Sequence, residues 1–286
     1  MVGETRELWR GFGLIWRDGP AVPGACPVAD DGATPTDIAL VMCDPVAPCA
    51  PGPEHWLPDG EGVAYVAPSV ARFACRADGV TITPVVGADP LMIGRLLIAN
   101  ALPALLWLRG AYALHAAAVV MPGQVGALAV CGASGSGKST LARQLIAQGA
   151  ALVADDVLAL NLSEDAAMGA GLPGGLWSPV GEARTFAPVP LAQQRERAEL
   201  SAILLLARGA VDSVAYFERA RPVAAVELLL SQRHRPHIPA LIDTRRAVLA
   251  QAARLAARVP LWRWPRPNGA TALTGEEWSM LAEISR

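Results

Sequence analysis

The chain has 286 residues and a mass of 29.8 kDa, more than one ordinary hydrophobic core and enough for one large domain or two lobes. Apolar residues make up 52 % of it and charged residues only 17 %, which excludes wholesale disorder. With 24 basic against 26 acidic residues, a net charge of −2 and a pI near 6.1, it carries no global basic field to hold nucleic acid or an anionic membrane.

Residues 1 to about 88 read as short strands between turn-rich segments, at 11–17, 37–43, 62–67, 70–75 and 80–86. They predict a small, mostly antiparallel β-rich N-terminal lobe (1–88) ahead of a larger catalytic domain (89–286). The proline-dense stretch from Pro45 to Pro58 is a loop or an edge. Asp89 then caps a helix with Pro90 at its first position, which runs to Leu108 before Arg109-Gly110 stops it. The apolar stretch from Leu96 to Leu108 falls short of the roughly 18 residues of a membrane span and reads as a buried helix.

Two apolar runs follow, Tyr112 to Val120 and Gly126 to Cys131, separated by the turn Met121 to Val125. This is a hairpin pattern. If Val120 faces Gly126, His115 falls opposite Cys131. A helix over 138–148, stopped by Gly149, and an apolar strand from Ala151 to Ala154 complete a βαβ unit. Residues Asn161 to Gly175 form a candidate mobile loop. Beyond them, 202–206 and 213–217 read as strands, and 223–232, 240–258 and 276–284 as helices. The last opens with the capping box Thr274-x-x-Glu277.

The residues that carry chemistry begin at Gly132. The run Gly132, Ala133, Ser134, Gly135, Ser136, Gly137, Lys138, Ser139, Thr140 fits G-x-x-x-x-G-K-[ST] and lies between an apolar strand and a helix. Its glycines allow backbone N–H groups to turn inward around phosphate oxygens, and the helix N-terminus adds partial positive charge. Lys138, the only lysine in the chain, reaches the β and γ phosphates, and the Ser139 hydroxyl is a ligand for Mg²⁺. ATP and Mg²⁺ are thus the expected cofactors.

Asp155 and Asp156 end the next strand, whose carboxyl end a βαβ crossover turns toward the same crevice. Successive side chains point to opposite faces, so one acid is available to hold Mg²⁺ and the other to receive a proton. His115, beside the mouth of the loop, has two open readings: a contact to phosphate or acceptor, and a hydrogen-bonded structural histidine. His234 and His237 flank Pro236 and read as a solvated basic turn rather than a metal site. The arginines 219, 221, 233, 235, 245 and 246 read as a solvated basic face, with an arginine finger as the sharper alternative. Trp262 and Trp264 read as packing residues, while Ser178, Glu182 and Arg184 are candidates for the acceptor side.

No second lysine is present for a guanine-reading Asn-Lys-x-Asp motif, and Leu230-Ser231-Gln232 lacks the glycines of a transporter signature. What remains is a glycine-rich loop, an acidic pair and a histidine strand leading in. In order and spacing, Leu114-His115-Ala-Ala-Ala-Val-Val, the Gly132–Thr140 motif, Gln148-Gly149 and Leu152-Val-Ala-Asp-Asp-Val157 resemble the core of the HPr kinase/phosphorylase family.

That resemblance covers about residues 110 to 160. It implies an α/β P-loop kinase core related to phosphoenolpyruvate carboxykinase, transferring phosphate from ATP to a serine hydroxyl with Mg²⁺. It further implies Asp155 as the base toward the acceptor, Ser139 and Asp156 at the metal, and His115 at the phosphates. The family's Glu-Ile-Arg-Gly-Leu-Gly signature is absent, with Gly181-Glu182-Ala183-Arg184 at most a remnant, which leaves the acceptor and phosphorolysis open.

The whole-chain pattern is more similar to stand-alone HPr-kinase-like proteins, some of which phosphorylate lasso precursor peptides on a C-terminal serine. A serine-containing peptide or small protein is therefore the expected partner, with neither nucleic acid nor membrane and the oligomeric state open. The alternatives are a small-molecule hydroxyl kinase and a nucleotide-gated binding protein without transfer. Cys26, Cys43, Cys49, Cys75 and Cys131 form no CxxC pair, and no signal segment leads the chain, so a reducing cytoplasm is the expected location.

Overall fold

The computed structural model describes residues 7–17, 19–30, 33–48, 52–180, 183–209, 216–267 and 272–286. Eight strands build the first sheet: β1 (Leu8–Gly11), β2 (Leu14–Arg17), β3 (Cys26–Val28), β4 (Ile38–Met42), β5 (His55–Asp59), β6 (Gly62–Ala67), β7 (Ala71–Arg76) and β8 (Gly79–Pro84). Their order is β3-β1-β2-β4-β8-β7-β6-β5. The neighbours are antiparallel except β2–β4 and β4–β8, which run parallel. Phe12 and Gly13 have φ of 56° and 74°, a left-handed pair that closes the β1–β2 hairpin with the twist its strands need. The proline-dense stretch ends in β5, an edge strand, where a residue without an N–H interrupts no central ladder.

One helical segment follows: α1 (Pro90–Leu96), a π turn (Leu97–Ala101) and α2 (Leu102–Leu108). The Asp89 side chain accepts from Leu91 N–H at 2.9 Å, as a capping residue does. This segment is long and apolar enough to cross a membrane, with a mean hydropathy of 1.8, but 61 % of it is buried inside the fold. Leu97, Leu102 and Leu105 pack in one continuous core with Val63, Phe73 and Ile82 of the first sheet and Tyr112 and Leu114 beyond it.

The remaining chain contains β9 (Tyr112–Leu114), β10 (Ala116–Val120), β11 (Ala127–Gly132), α3 (Lys138–Ala147), β12 (Ala151–Ala154), β13 (Leu158–Leu162) and β14 (Ala167–Ala170). After them come the hairpin strands β15 (Gly175–Val180) and β16 (Ala183–Pro188), then β17 (Arg197–Gly209) and β18 (Glu218–Arg219). The chain closes with α4 (Pro222–Ser231), α5 (Ile238–Leu241), α6 (Arg245–Arg258), β19 (Leu261–Pro267) and α7 (Gly275–Ile284). The second sheet runs β12-β10-β11-β17-β14-β13-β9, with β19 paired to β17 and β18 to β19. Strands β10, β11 and β12 are buried along their whole length, because α2, α4 and α6 pack on one face and α3 and α7 on the other.

Five expectations are corrected. The run 112–120 is two strands: at His115 the chain leaves the ladder, its N–H donating to Gln232 O at 2.7 Å, because β9 pairs with β13 whereas β10 pairs with β11 and β12. The hairpin register is one residue off: Ala116, not His115, faces Cys131, and Val120 faces Ala127, since Gly126 belongs to the turn. Residues 161–175 are no open loop, because β13 and β14 pair antiparallel through them. The helix over 240–258 is broken after α5, where Asp243 takes φ of 51°. His234 is 8 % exposed, not part of a solvated turn. Of the strand expected at 213–217, residues 213–215 lie outside the described residues, as does Cys49; the other four cysteines are free thiols.

Candidate active site

The site forms where β11 and β12 end. Both run antiparallel to β10, which lies between them, so they point the same way and deliver the glycine-rich loop and the acidic pair to one edge of the sheet. Gly132 has φ of 149°, and a Cβ there would stand 2.5 Å from Ser136 Oγ and 2.9 Å from Leu206 O; only glycine fits. Gly137, at φ of 98°, turns the chain into α3.

Gly137, at the N-cap of α3, offers no side-chain cap, and the Ser136 hydroxyl is buried without a hydrogen-bond partner among the described residues. Ala133, Ser134 and Gly135 are exposed at the tip. Within the loop, Gly132 N–H donates to Gln232 Oε1 and Ser136 N–H to Ala133 O, each at 3.0 Å, and its exposed tip at the N-terminus of α3 fits an anion of phosphate type. Lys138 is 8 % exposed, and its Nζ donates to Gly132 O (2.7 Å) and Ala133 O (3.3 Å). Thr140, one turn into α3, is exposed and accepts from Arg143 Nη2 at 3.2 Å.

The two acids separate, as adjacent strand-end residues should. Asp155 is buried, accepting from Ser139 Oγ at 3.0 Å on one oxygen and from Trp177 N–H at 2.8 Å on the other. Burial raises its pKa above the usual carboxylate range, against these two hydrogen bonds, which lower it. Asp156 has φ of 71°, and its Oδ1 lies 3.4 Å from His115 Nδ1. The acid in hydrogen-bond contact with the Ser139 hydroxyl is Asp155. Ser139 and Asp155 put two oxygen donors side by side, with Asp156 next in the chain, and this set of hard ligands fits Mg²⁺.

His115 stacks on His234, ring centroids 5.7 Å apart and planes 20° from parallel. Burial pushes the His234 pKa down to about 4, so this ring is neutral at physiological pH. Arg233 and Arg235 are half-buried rather than solvated. With His115, His234, His237 and Asp156 they line a cavity of about 390 Å³. A second cavity, of about 300 Å³, is lined by Asp155, Asp156, Arg95, Trp177, Phe186 and Phe12 among others. Asp156 borders both.

Two functional residues escaped sequence reasoning. Gln232 ends α4 and accepts from Gly132 N–H through Oε1 at 3.0 Å, while its backbone carbonyl receives the His115 N–H; nothing local distinguishes it from any helix-ending glutamine. Trp177 supplies the second hydrogen bond to Asp155 from a hairpin strand 22 residues on. Ser178 and Arg184 sit opposite neighbouring positions of that hairpin, and Glu182 lies outside the described residues.

The class that fold and site define is a mixed α/β protein with a glycine-rich strand-to-helix loop beside an acidic pair. No family model matches the chain, and no curated protein matches it. Among solved structures it is similar to the HPr(Ser) kinase/phosphatase from Coxiella burnetii, at 16 % identity over 60 % of this chain and 87 % of that chain, with a TM-score of 0.37.

Proposed function

We propose that this protein is an ATP-dependent kinase that transfers the γ-phosphate to a serine hydroxyl of a peptide or small protein. The observation that carries the reading is the Asp155–Asp156 corner, which joins the glycine-rich loop, through Ser139, to two cavities. The loop amides and Lys138 would hold the triphosphate, and Ser139 and Asp156 would hold Mg²⁺, with Asp155 adjoining. Mg²⁺ supplies charge neutralisation on the β and γ phosphates.

In this reading the acceptor hydroxyl enters from the aromatic-walled cavity, which Asp155 lines, and not from the histidine-lined one, which it does not. Asp155 takes the proton of the hydroxyl as the new O–P bond forms. The bond from the γ-phosphorus to ADP breaks in the same displacement, and ADP leaves with the bonding pair. Burial favours this role because it makes the carboxylate a better proton acceptor. His115, Arg233 and Arg235 face the developing negative charge from the other cavity.

The reading also carries the likeness of residues 110–160 to the HPr kinase/phosphorylase core, a fold related to phosphoenolpyruvate carboxykinase, a catalytic unit over 89–286 and a cytoplasmic location. Its test is intact-mass measurement of serine-containing peptides after incubation with the protein, ATP and Mg²⁺. A gain of one phosphate is expected; ATP binding with no phosphorylated product overturns transfer. Gln232→Ala is a further check, since it removes the acceptor from the first amide of the loop. Leaving that N–H unpaired costs about 1–3 kcal/mol of folding stability, so a thermal melt should show a lowered melting temperature; an unchanged melting temperature removes the proposed link.

A further inference from the structure

The cavity of about 390 Å³ brings together three side chains that no local pattern joins. His115 stands in the break between β9 and β10, Asp156 follows the end of β12, and His234 lies in the segment after α4. One ring nitrogen from each histidine and one carboxylate oxygen of Asp156 all fall within 4.8 Å of one another. The main chain holds both histidines in place. His115 N–H donates to Gln232 O at 2.7 Å and His234 N–H to Ala113 O at 2.9 Å, which fastens the strand to the returning segment on either side of the ring pair.

The distances suit a metal ion. Bonds of about 2.0–2.1 Å place two neighbouring ligands of a tetrahedral ion about 3.3–3.4 Å apart, and His115 Nδ1 lies 3.4 Å from Asp156 Oδ1. His234 is only 8 % exposed, it lines the cavity, and its Nδ1 is buried without a hydrogen-bond partner among the described residues. A polar atom in that state is costly unless a group from outside the chain completes it. Two imidazoles and a carboxylate form the donor set of a borderline transition-metal dication, whereas Mg²⁺ takes oxygen ligands. His237, three residues beyond His234, is outside the cluster and turns its ring to Trp56, with centroids 5.6 Å apart.

We propose that His115, Asp156 and His234 bind Zn²⁺ at a second cation site beside the Ser139–Asp155 corner. The inference goes beyond the phosphotransfer reading and does not require it. A carboxylate has two oxygens, so Asp156 can give Oδ1 to this ion and keep the other for the Mg²⁺ of that reading. Three protein ligands leave a fourth coordination position, which opens to the cavity that Arg233 and Arg235 also line. The ion therefore adds to the positive side of that space.

The test uses untagged, chelator-stripped protein without nucleotide. Co²⁺ serves as the spectroscopic probe, and Zn²⁺ affinity is measured by competition with a chromophoric chelator. One Co²⁺ per chain should give visible d–d absorption that Zn²⁺ abolishes and excess Mg²⁺ does not, without the near-ultraviolet sulfur-to-metal band expected from binding at the exposed Cys43 thiol. His234→Gln and Asp156→Asn should each weaken Zn²⁺ binding by about 100-fold or more, since loss of an outer-shell partner alone costs about 10- to 100-fold, while His237→Gln leaves it unchanged. Asp156 is partly exposed, so its variant decides the matter if His234→Gln does not fold. Absence of the d–d band, its removal by Mg²⁺, a thiolate band in its place, or undiminished Zn²⁺ affinity in either folded ligand variant overturns the proposal. Because no ATP is present, Zn²⁺ binding survives a failure of phosphate transfer, and its loss leaves the peptide mass measurement unaffected.

Discussion

Asp155→Asn should reduce phosphate transfer by about 10²- to 10⁴-fold, the loss expected when a positioned proton acceptor is removed, while nucleotide affinity stays close to that of the unaltered protein. The replacement is nearly isosteric. An asparagine can keep its carbonyl on Trp177 N–H and turn its amide toward Ser139 Oγ, so both partners of Asp155 retain a hydrogen bond and the melting temperature should hold. What disappears is the lone pair able to take the hydroxyl proton. Asp156→Asn should act differently, raising the Mg²⁺ concentration needed for half-maximal transfer. Single-turnover rates and Mg²⁺ titrations of the two variants check this, and a reversed pattern would exchange the roles of the acids. Undiminished turnover in Asp155→Asn removes the base altogether.

Lys138→Ala should weaken both binding and transfer. Its ammonium bridges Gly132 O and Ala133 O at the base of the loop, where a phosphate would receive its charge. Loss of one charged hydrogen bond costs about 1.5–3 kcal/mol, so calorimetry with a non-hydrolysable ATP analogue should show affinity falling about 10- to 100-fold. Transfer should fall further, by about another 10²- to 10³-fold, because charge on the phosphates is stabilised most in the transition state. Since Lys138 is the chain's single lysine, an acylating nucleotide probe has one side-chain amine to label. Labelling at Lys138, blocked by ATP, is the expected mass-spectrometric result. A Lys138→Ala protein that transfers phosphate at the normal rate would refute the assignment.

Legibility in the sequence differed sharply between local and distant features. The Asp89 and Thr274 caps, the turn into α3 and the burial of the helix from Pro90 to Leu108 all follow from neighbouring side chains: a capping oxygen, a glycine able to take positive φ, an apolar run too long for any surface. The direction of β12 was equally readable, since both it and β11 are antiparallel to the strand between them. Where local reasoning slipped, a distant partner had decided the matter. His115 leaves its strand because Gln232 receives its N–H, and His234 is buried because the segment after α4 folds back onto the His115 strand, where His234 N–H reaches Ala113 O at 2.9 Å.

By itself, then, the amino-acid order determined the glycine-rich loop, its lone lysine and the acidic pair, because each depends on contiguous residues whose backbone freedom and charge are intrinsic. Which acid stands beside Ser139, what completes the loop through Gln232, and that Arg95 faces an aromatic cavity were decided only by tertiary structure. Those pairings join α1, β12, the β15–β16 hairpin and the end of α4, and no periodicity or spacing encodes a meeting that depends on how two sheets close around one buried helix.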